Sequence, residues 1–262
     1  MGRLYRLKRK LIKNWQKFQE KIARPNKNAI WIFGMQKSGT SAIAALLAHR
    51  SGKSVTIDTP LLWHPYSTQI KSGVLNLGQH VNNNPYPFSK DIIKEPGASL
   101  MINYIKDYFE LQRYVFIVRN PFDVIRSILN RLGLEGNEVI LNIDSVNKNW
   151  QPMFVDGENY VKKLADIYVK VYSQDHYLNH PNCVLVKYED FKNNKESFID
   201  DLCDSLELKK VNSIKNIKNK QFQPKGKQVD DFRAYFGKTN YNIILNTTIK
   251  QLEYFDYDVD SF

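Results

Sequence analysis

Short apolar runs alternate with stretches of helical spacing along most of this chain, and the alternation predicts its architecture. Ala29–Phe33, Val55–Ile57, Asp91–Lys94, Tyr114–Val118 and CVLVKY (183–188) read as strands. Their apolar residues run together instead of alternating, as in parallel strands covered on both faces. Helical spacing marks Thr40–His49, the segment PGASLMINYIKDYF entered through Pro96, Pro121 to about Leu132, and residues 157–178, 195–206 and 241–252. Residues 59–90, with many Pro, Gly, Asn and aromatic side chains, read as loop-rich, and the basic stretch 209–240 reads as irregular. Repeated strand–helix alternation predicts an α/β fold with a mainly parallel sheet flanked by helices on both faces.

Residues 1–27 break the pattern. Leu4, Leu7, Leu11, Trp15, Phe18 and Ile22 recur at helical spacing opposite a basic face, and Pro25 ends the run. The sequence thus divides into a basic amphipathic N-terminal helix and linker, 1–27, and a body, 28–262. A helix packed on the body, or a solvated basic extension, accounts for this segment. An interfacial helix on anionic lipid is the alternative, with peripheral membrane contact through residues 1–22. The segment lacks the continuous apolar core and small-residue cleavage site of a signal peptide.

Charge and composition refine this picture. The net charge is +11, but residues 1–27 hold ten lysines and arginines against one acid, Glu20. The body is close to neutral, so no nucleic-acid partner is expected for it. At 262 residues, 42% hydrophobic and 13% aromatic, the chain can bury one sizeable core. No apolar run approaches the roughly 20 residues of a membrane span. Cys183 and Cys203 have neither metal-ligand spacing nor the number for a disulfide framework. A cytoplasmic setting, peripheral to a membrane if the N-terminal helix binds lipid, is the expectation.

The chemistry starts in IWIFGMQKSGTSAIAALLA, residues 30–48. Gly34 and Gly39 have the GxxxxG spacing of a phosphate-binding P-loop, but Thr40 stands where its lysine belongs and Lys37 lies inside the loop. Amides and hydroxyls of Ser38, Thr40 and Ser41 at a helix start still suit an anion. The strand YVFIV ends in Arg119-Asn120, not in the carboxylate that would hold Mg²⁺ in a kinase. A cation there attracts a second anion, and Ser127 lies two turns into the following helix. Two anion sites and no metal site are the result.

This combination resembles the sulfotransferase family, whose members use 3′-phosphoadenosine 5′-phosphosulfate (PAPS). GMQKSGTSA is similar to the family's 5′-phosphosulfate loop, and FIVRNPFDVIRSIL (116–129) to its 3′-phosphate motif. IIKEPGASL (92–100) resembles a K-x-P step with Lys94 and Pro96. VLVKYEDF (184–191) resembles the YED segment, with Tyr188 by the adenine. PKGKQVDDFRAYF (224–236) resembles the late loop that closes over the 3′-phosphate; Pro224 replaces its arginine and Phe232 its tryptophan, while Lys225 and Gly226 remain. The resemblance spans most of residues 30–257 and implies a P-loop-type sheet, sulfuryl transfer and no metal. It implies that Gly34, Lys37, Ser38, Gly39, Thr40 and Ser41 hold the 5′ end. Arg119, Ser127, Lys225 and Gly226 would hold the 3′-phosphate. Lys37 would assist the leaving group and Lys94 the sulfuryl group.

An acceptor hydroxyl must lose a proton as it attacks, so a base is expected. In the carbohydrate and bacterial branches a glutamate serves, and the matching place here holds Asp58. In the cytosolic branch a histidine serves, and Glu95 stands there. His64 is a third candidate. Asp58 is favoured by its position at a strand end; a turn-capping role before Thr59-Pro60 is the competing account. The acceptor pocket is expected in 59–90 and 133–158, where aromatic rings and amides suit a sugar, a glycolipid or another small molecule. The rival readings are a P-loop nucleotide kinase and a non-catalytic protein presenting its basic helix to membrane or RNA.

Overall fold

The computed structural model describes residues 22–220, 229 and 231–259, so the N-terminal helix expected over 1–27 lies almost wholly outside the described residues. Asn26 already belongs to the body, its amide donating to the Phe88 carbonyl at 2.8 Å.

Five parallel strands form one sheet in the order β2-β3-β1-β4-β5. These are β1 (Ile30–Phe33), β2 (Val55–Ile57), β3 (Ile92–Lys94), β4 (Tyr114–Val118) and β5 (Cys183–Lys187). Side chains alternate across the pleat and feed two cores. Trp31, Phe33, Ile93, Tyr114 and Phe116 face one, with the helices α4 (Ile102–Tyr108), α5 (Pro121–Leu132), α6 (Tyr160–Tyr172) and α10 (Phe232–Tyr254). Ile32, Ile92, Val115 and Ile117 face the other, against α1 (Thr40–Ser51) and α9 (Lys195–Ser205). Helices on both faces explain the unbroken apolar runs of the strands.

Central β1 is flanked by β3 and β4, and the chain reverses its direction of travel across the sheet there. In open parallel sheets ligands bind beyond the carboxyl ends of the strands at such a reversal. The loops after β1, β3 and β4 therefore converge on one crevice.

Several segments differ from the sequence expectation. Residues 59–90 are not simply loop: they contain α2 (Tyr66–Lys71) and α3 (Leu77–Asn83), the latter capped by Asn76. Segment 96–109 is not one helix but a 3₁₀ turn, Pro96–Leu100, followed by α4, broken at Met101. The expected helix over 157–178 is α6, which ends at Tyr172, and a separate short α7 (Asp175–Leu178). Tyr188 does not end β5; it opens α8 (Tyr188–Asn193). The last helix starts at Phe232, nine residues early, with Asp231 as its cap and a non-helical kink at Gly237. Helical spacing continues through such breaks, and only capping and long-range bonds reveal them.

Candidate active site

The glycine loop is held from behind. Gly34, at φ 138°, donates its amide to Ser99 Oγ at 2.8 Å, and the same hydroxyl donates to the Gly34 carbonyl at 3.1 Å. A Cβ on Gly34 would lie 2.6 Å from the Ile117 carbonyl oxygen, so only glycine passes the neighbouring strand. Tyr172, buried on α6, donates its hydroxyl to the Ile117 carbonyl at 2.7 Å and accepts the Met35 amide at 3.1 Å. Its oxygen also lies 3.2 Å from Ser38 Oγ. Lys37 takes a left-handed φ of 71°, and Gly39, at φ 84°, starts α1, with buried Thr40 and half-buried Ser41 in the first turn. That turn carries no acid, so its positive helix end is uncancelled.

Cations gather around this loop. Burial, then the charges of Arg131, Arg119 and Lys94, hold the Lys37 ammonium below its ordinary value. Arg119, at the end of β4, donates Nη1 to the Lys37 carbonyl at 2.9 Å and lies 4.4 Å from the centre of the Tyr188 ring. Tyr188 in turn packs on Gly39, where a Cβ would come within 2.2 Å of the ring. Arg119 Nε is buried without a hydrogen-bond partner among the described residues. Tyr168 donates to the Arg119 carbonyl at 2.9 Å, and Glu189 accepts the Asn120 amide at 3.0 Å and the Tyr257 hydroxyl at 2.9 Å.

On α5, Asp123 pairs with Arg119 at 3.3 Å and Arg126 at 2.6 Å. Burial opposes the Asp123 charge, but those two guanidinium groups outweigh it and leave its carboxyl below the usual range. Ser127 and Arg131 follow at four-residue intervals, so Asp123, Ser127 and Arg131 share one helix face.

On the other side of the loop, Lys94 is 2% exposed and donates to Asp58 Oδ1 at 2.5 Å. Asp58 holds a left-handed φ of 60°, its amide donating to the Lys94 carbonyl at 2.9 Å. Its side chain is 38% exposed. Glu95 is buried, its carboxylate accepting the Thr59 amide, the Trp63 indole N–H and the Gly97 amide at 2.9, 3.0 and 3.1 Å. His64 is exposed, 3.2 Å from Thr68 Oγ1.

The fold thus brings Arg119 and Tyr188 into direct contact with the glycine loop, at Lys37 and Gly39, and pairs Lys94 with Asp58. Lys225 and Gly226 lie outside the described residues. Sequence reasoning missed Ser99, Tyr172, Asp123, Arg131 and Glu189. Arg131 and Asp123 left a signal in helical spacing, Arg131 four residues from Ser127 and Asp123 four from Arg119 and three from Arg126; the others act across separations of 55 residues or more. Among the described residues, no group of three or more His, Cys, Asp or Glu could hold a metal ion.

Residues 27–231 match the family model described as sulfotransferase domain. No curated protein sequence matches the chain. Solved structures share its fold at low identity. The sulfotransferase STF9 from Mycobacterium avium is 11% identical at a TM-score of 0.58, over 89% of this chain and 78% of that one. Mouse sulfotransferase SULT7A1, complexed with PAP, is 15% identical at a TM-score of 0.50, over 91% and 88%. The sulfotransferase domain of the curacin biosynthetic pathway is 13% identical at 0.50, over 90% and 99%.

Proposed function

The chain belongs to the sulfotransferase family, and from that premise we propose that its crevice grips PAPS at both phosphate ends and delivers the sulfuryl group to an acceptor hydroxyl beside Asp58. The observation that carries this reading is Arg119, bonded to the glycine loop at Lys37 and stacked on Tyr188. One arginine then borders both anion sites.

The residues fit such a ligand. The orphaned Arg119 Nε supplies a buried donor, Gly39 lets the loop pass directly under the Tyr188 ring, and Lys37, Lys94, Arg119 and Arg131 supply positive charge. Gly34, Ser38, Gly39, Thr40 and Ser41 would hold the 5′-phosphate through the loop and the start of α1. Arg119 and Ser127, with Lys225 and Gly226, would hold the 3′-phosphate that distinguishes PAPS from ATP. In the reaction the bond from sulfur to the phosphate oxygen breaks as a bond from sulfur to the acceptor oxygen forms. Lys37 and Lys94 stabilise the charge on the leaving and transferring oxygens. A kinase would need a free carboxylate for Mg²⁺, but Asp123 is engaged by Arg119 and Arg126.

The acceptor proton goes to Asp58. Lys94 donates to one oxygen of that carboxylate, and the partly exposed Asp58 side chain leaves one face open to an incoming hydroxyl. Asp58→Asn preserves size and lowers kcat by about 10²–10⁴-fold while the affinity for 3′,5′-adenosine bisphosphate stays put. Full activity in this variant would rule out Asp58 as base.

For the acceptor, a cavity of about 270 Å³ lies beside edge strand β2, lined by Leu61, Asn83, Asn84, Pro85, Tyr86 and Pro87. Thr56 Oγ1 donates to the Pro87 carbonyl at 2.6 Å, and Leu61 follows Asp58 by three residues, no more than about 11 Å along the chain. A mixed lining, with two amides beside the Leu61 and Tyr86 side chains, suits a sugar ring, free or in a glycolipid. Bisphosphate release from PAPS with a panel of methyl glycosides, against 4-nitrophenol and water, tests this class. The decisive ligand test is thermal: stabilisation by the bisphosphate must exceed that by 5′-AMP and by Mg-ATP.

Basic residues 1–22 support peripheral contact with an anionic membrane surface. Among the described residues, no helix is long and apolar enough to cross a membrane. Sedimentation with anionic vesicles should deplete the full chain but not a form starting at Asn28; equal pelleting of the two would remove membrane contact from the proposal.

A further inference from the structure

Glu95 stands where the fold joins the acceptor side of the crevice to the glycine loop. One carboxylate oxygen, Oε2, accepts the Thr59 amide and the Trp63 indole N–H; the other, Oε1, accepts the Gly97 amide. The first pair belongs to the segment that follows Asp58. The second caps the 3₁₀ turn Pro96–Leu100, and that turn carries Ser99, whose hydroxyl clamps Gly34 from both sides. Glu95 is 2% exposed, so water does not compete for these oxygens. The preceding residue, Lys94, reaches Asp58 from the same strand end. Asp58 itself sits in a left-handed conformation that costs a non-glycine residue on the order of 1 kcal/mol and persists only where neighbouring bonds over-determine it. The bonds that flank it are its own amide to the Lys94 carbonyl and the Thr59 amide to Glu95.

We infer that Glu95 is a positioning residue and not the base: it fixes segment 58–63 against the glycine loop, and so sets where Asp58 and the Trp63 ring meet the acceptor. This rests on the sulfuryl-transfer reading of the site but not on Asp58 being the base. A carboxylate that already accepts three donors and has no solvent face cannot take a proton from an acceptor without releasing the segment that forms the acceptor's wall. In Glu95→Gln the amide NH₂ faces a donor whichever way it turns, so either the Thr59–Trp63 pair or the Gly97 cap is lost.

The test uses the full chain, PAPS, and the best acceptor of the glycoside panel, with PAPS hydrolysis to water as the assay if no glycoside is sulfated. Glu95→Gln is expected to lower kcat at least tenfold and to keep the ascending limb of the pH–rate profile at the wild-type pH. Trp63→Phe removes only one of the three donors and is expected to lower kcat at least threefold, with bisphosphate affinity unchanged. The double variant should fall by less than the product of the two single losses, because both changes act on one carboxylate. An ascending limb that disappears in Glu95→Gln makes Glu95 the base and overturns the inference; so does an unchanged kcat in either single variant. If Glu95→Gln fails to fold, Trp63→Phe decides alone. If Asp58→Asn keeps full rate while Glu95→Gln behaves as expected, the assignment of the base falls and the positioning role stands.

Discussion

Arg119→Ala abolishes the extra thermal stabilisation that 3′,5′-adenosine bisphosphate gives over 5′-AMP. Arg119 is the cation best placed to read a second phosphate. It leaves β4 at the sheet's reversal point, is buried enough that solvent screens it little, and keeps one donor, Nε, unpaired among the described residues. Its bonds to the Lys37 carbonyl and Asp123 and its stack on Tyr188 set the guanidinium plane before any ligand arrives. Pre-ordering of this kind spares the entropy cost of fixing a long side chain on binding. A charge-assisted hydrogen bond lost at such a site costs about 1.5–3 kcal/mol, or roughly ten- to a hundred-and-fifty-fold in affinity. Bisphosphate and AMP then stabilise the variant alike. Arg119→Lys keeps the charge but neither the fork nor the stack, and its shift falls between the two. Retained discrimination in Arg119→Ala would mean that the 3′-phosphate is read elsewhere and would remove the premise of the site.

Lys37→Ala is expected to cost turnover far more than binding. Lys37 lies inside the loop, and in the proposed reaction it serves the group that leaves while the start of α1 holds the phosphate. Its charge matters most when the breaking bond loads negative charge onto the leaving oxygen. Removing a donor of this type typically costs about 10²–10³ in kcat, whereas bisphosphate affinity should fall by no more than about tenfold. The pH behaviour provides an independent check. Burial, with Arg131, Arg119 and Lys94 nearby, lowers the Lys37 value in the free protein, and a bound anion favours the charged ammonium and raises it again. Binding at alkaline pH therefore takes up a proton. Bisphosphate affinity should weaken as pH climbs past the lowered value, starting below 10.5, and the wild-type decline should be absent from Lys37→Ala. Equal losses in kcat and affinity would give Lys37 a binding role only.

Most of the framework was legible in the chain because it depends on local order. The strands 55–57 and 114–118 coincide with β2 and β4, since short apolar runs between turn signals have few alternatives in a covered sheet. The helix from Pro121 was equally readable, with proline at its start and Gly133 at its end. Breaks at Met101 and Ser173 were not readable, because the apolar spacing continues through them. Asp58, Glu95 and His64 could not be separated as bases by spacing alone. The fold gives them different surroundings: a partly exposed ion pair, a saturated buried carboxylate and an exposed ring.

By itself the sequence determined that a glycine-bracketed turn follows one strand, that a lysine lies inside it, and that an arginine ends another strand. These are properties of neighbouring residues, and periodicity and turn chemistry report them directly. Only the tertiary structure decided that Arg119 touches Lys37, that Tyr188 closes over Gly39, that Lys94 meets Asp58, and that Ser99, Tyr172 and Glu189 hold the loops in place. Those contacts join residues 36 to 149 positions apart. They arise from the order in which parallel strands assemble, and strand order leaves no periodic trace in the chain.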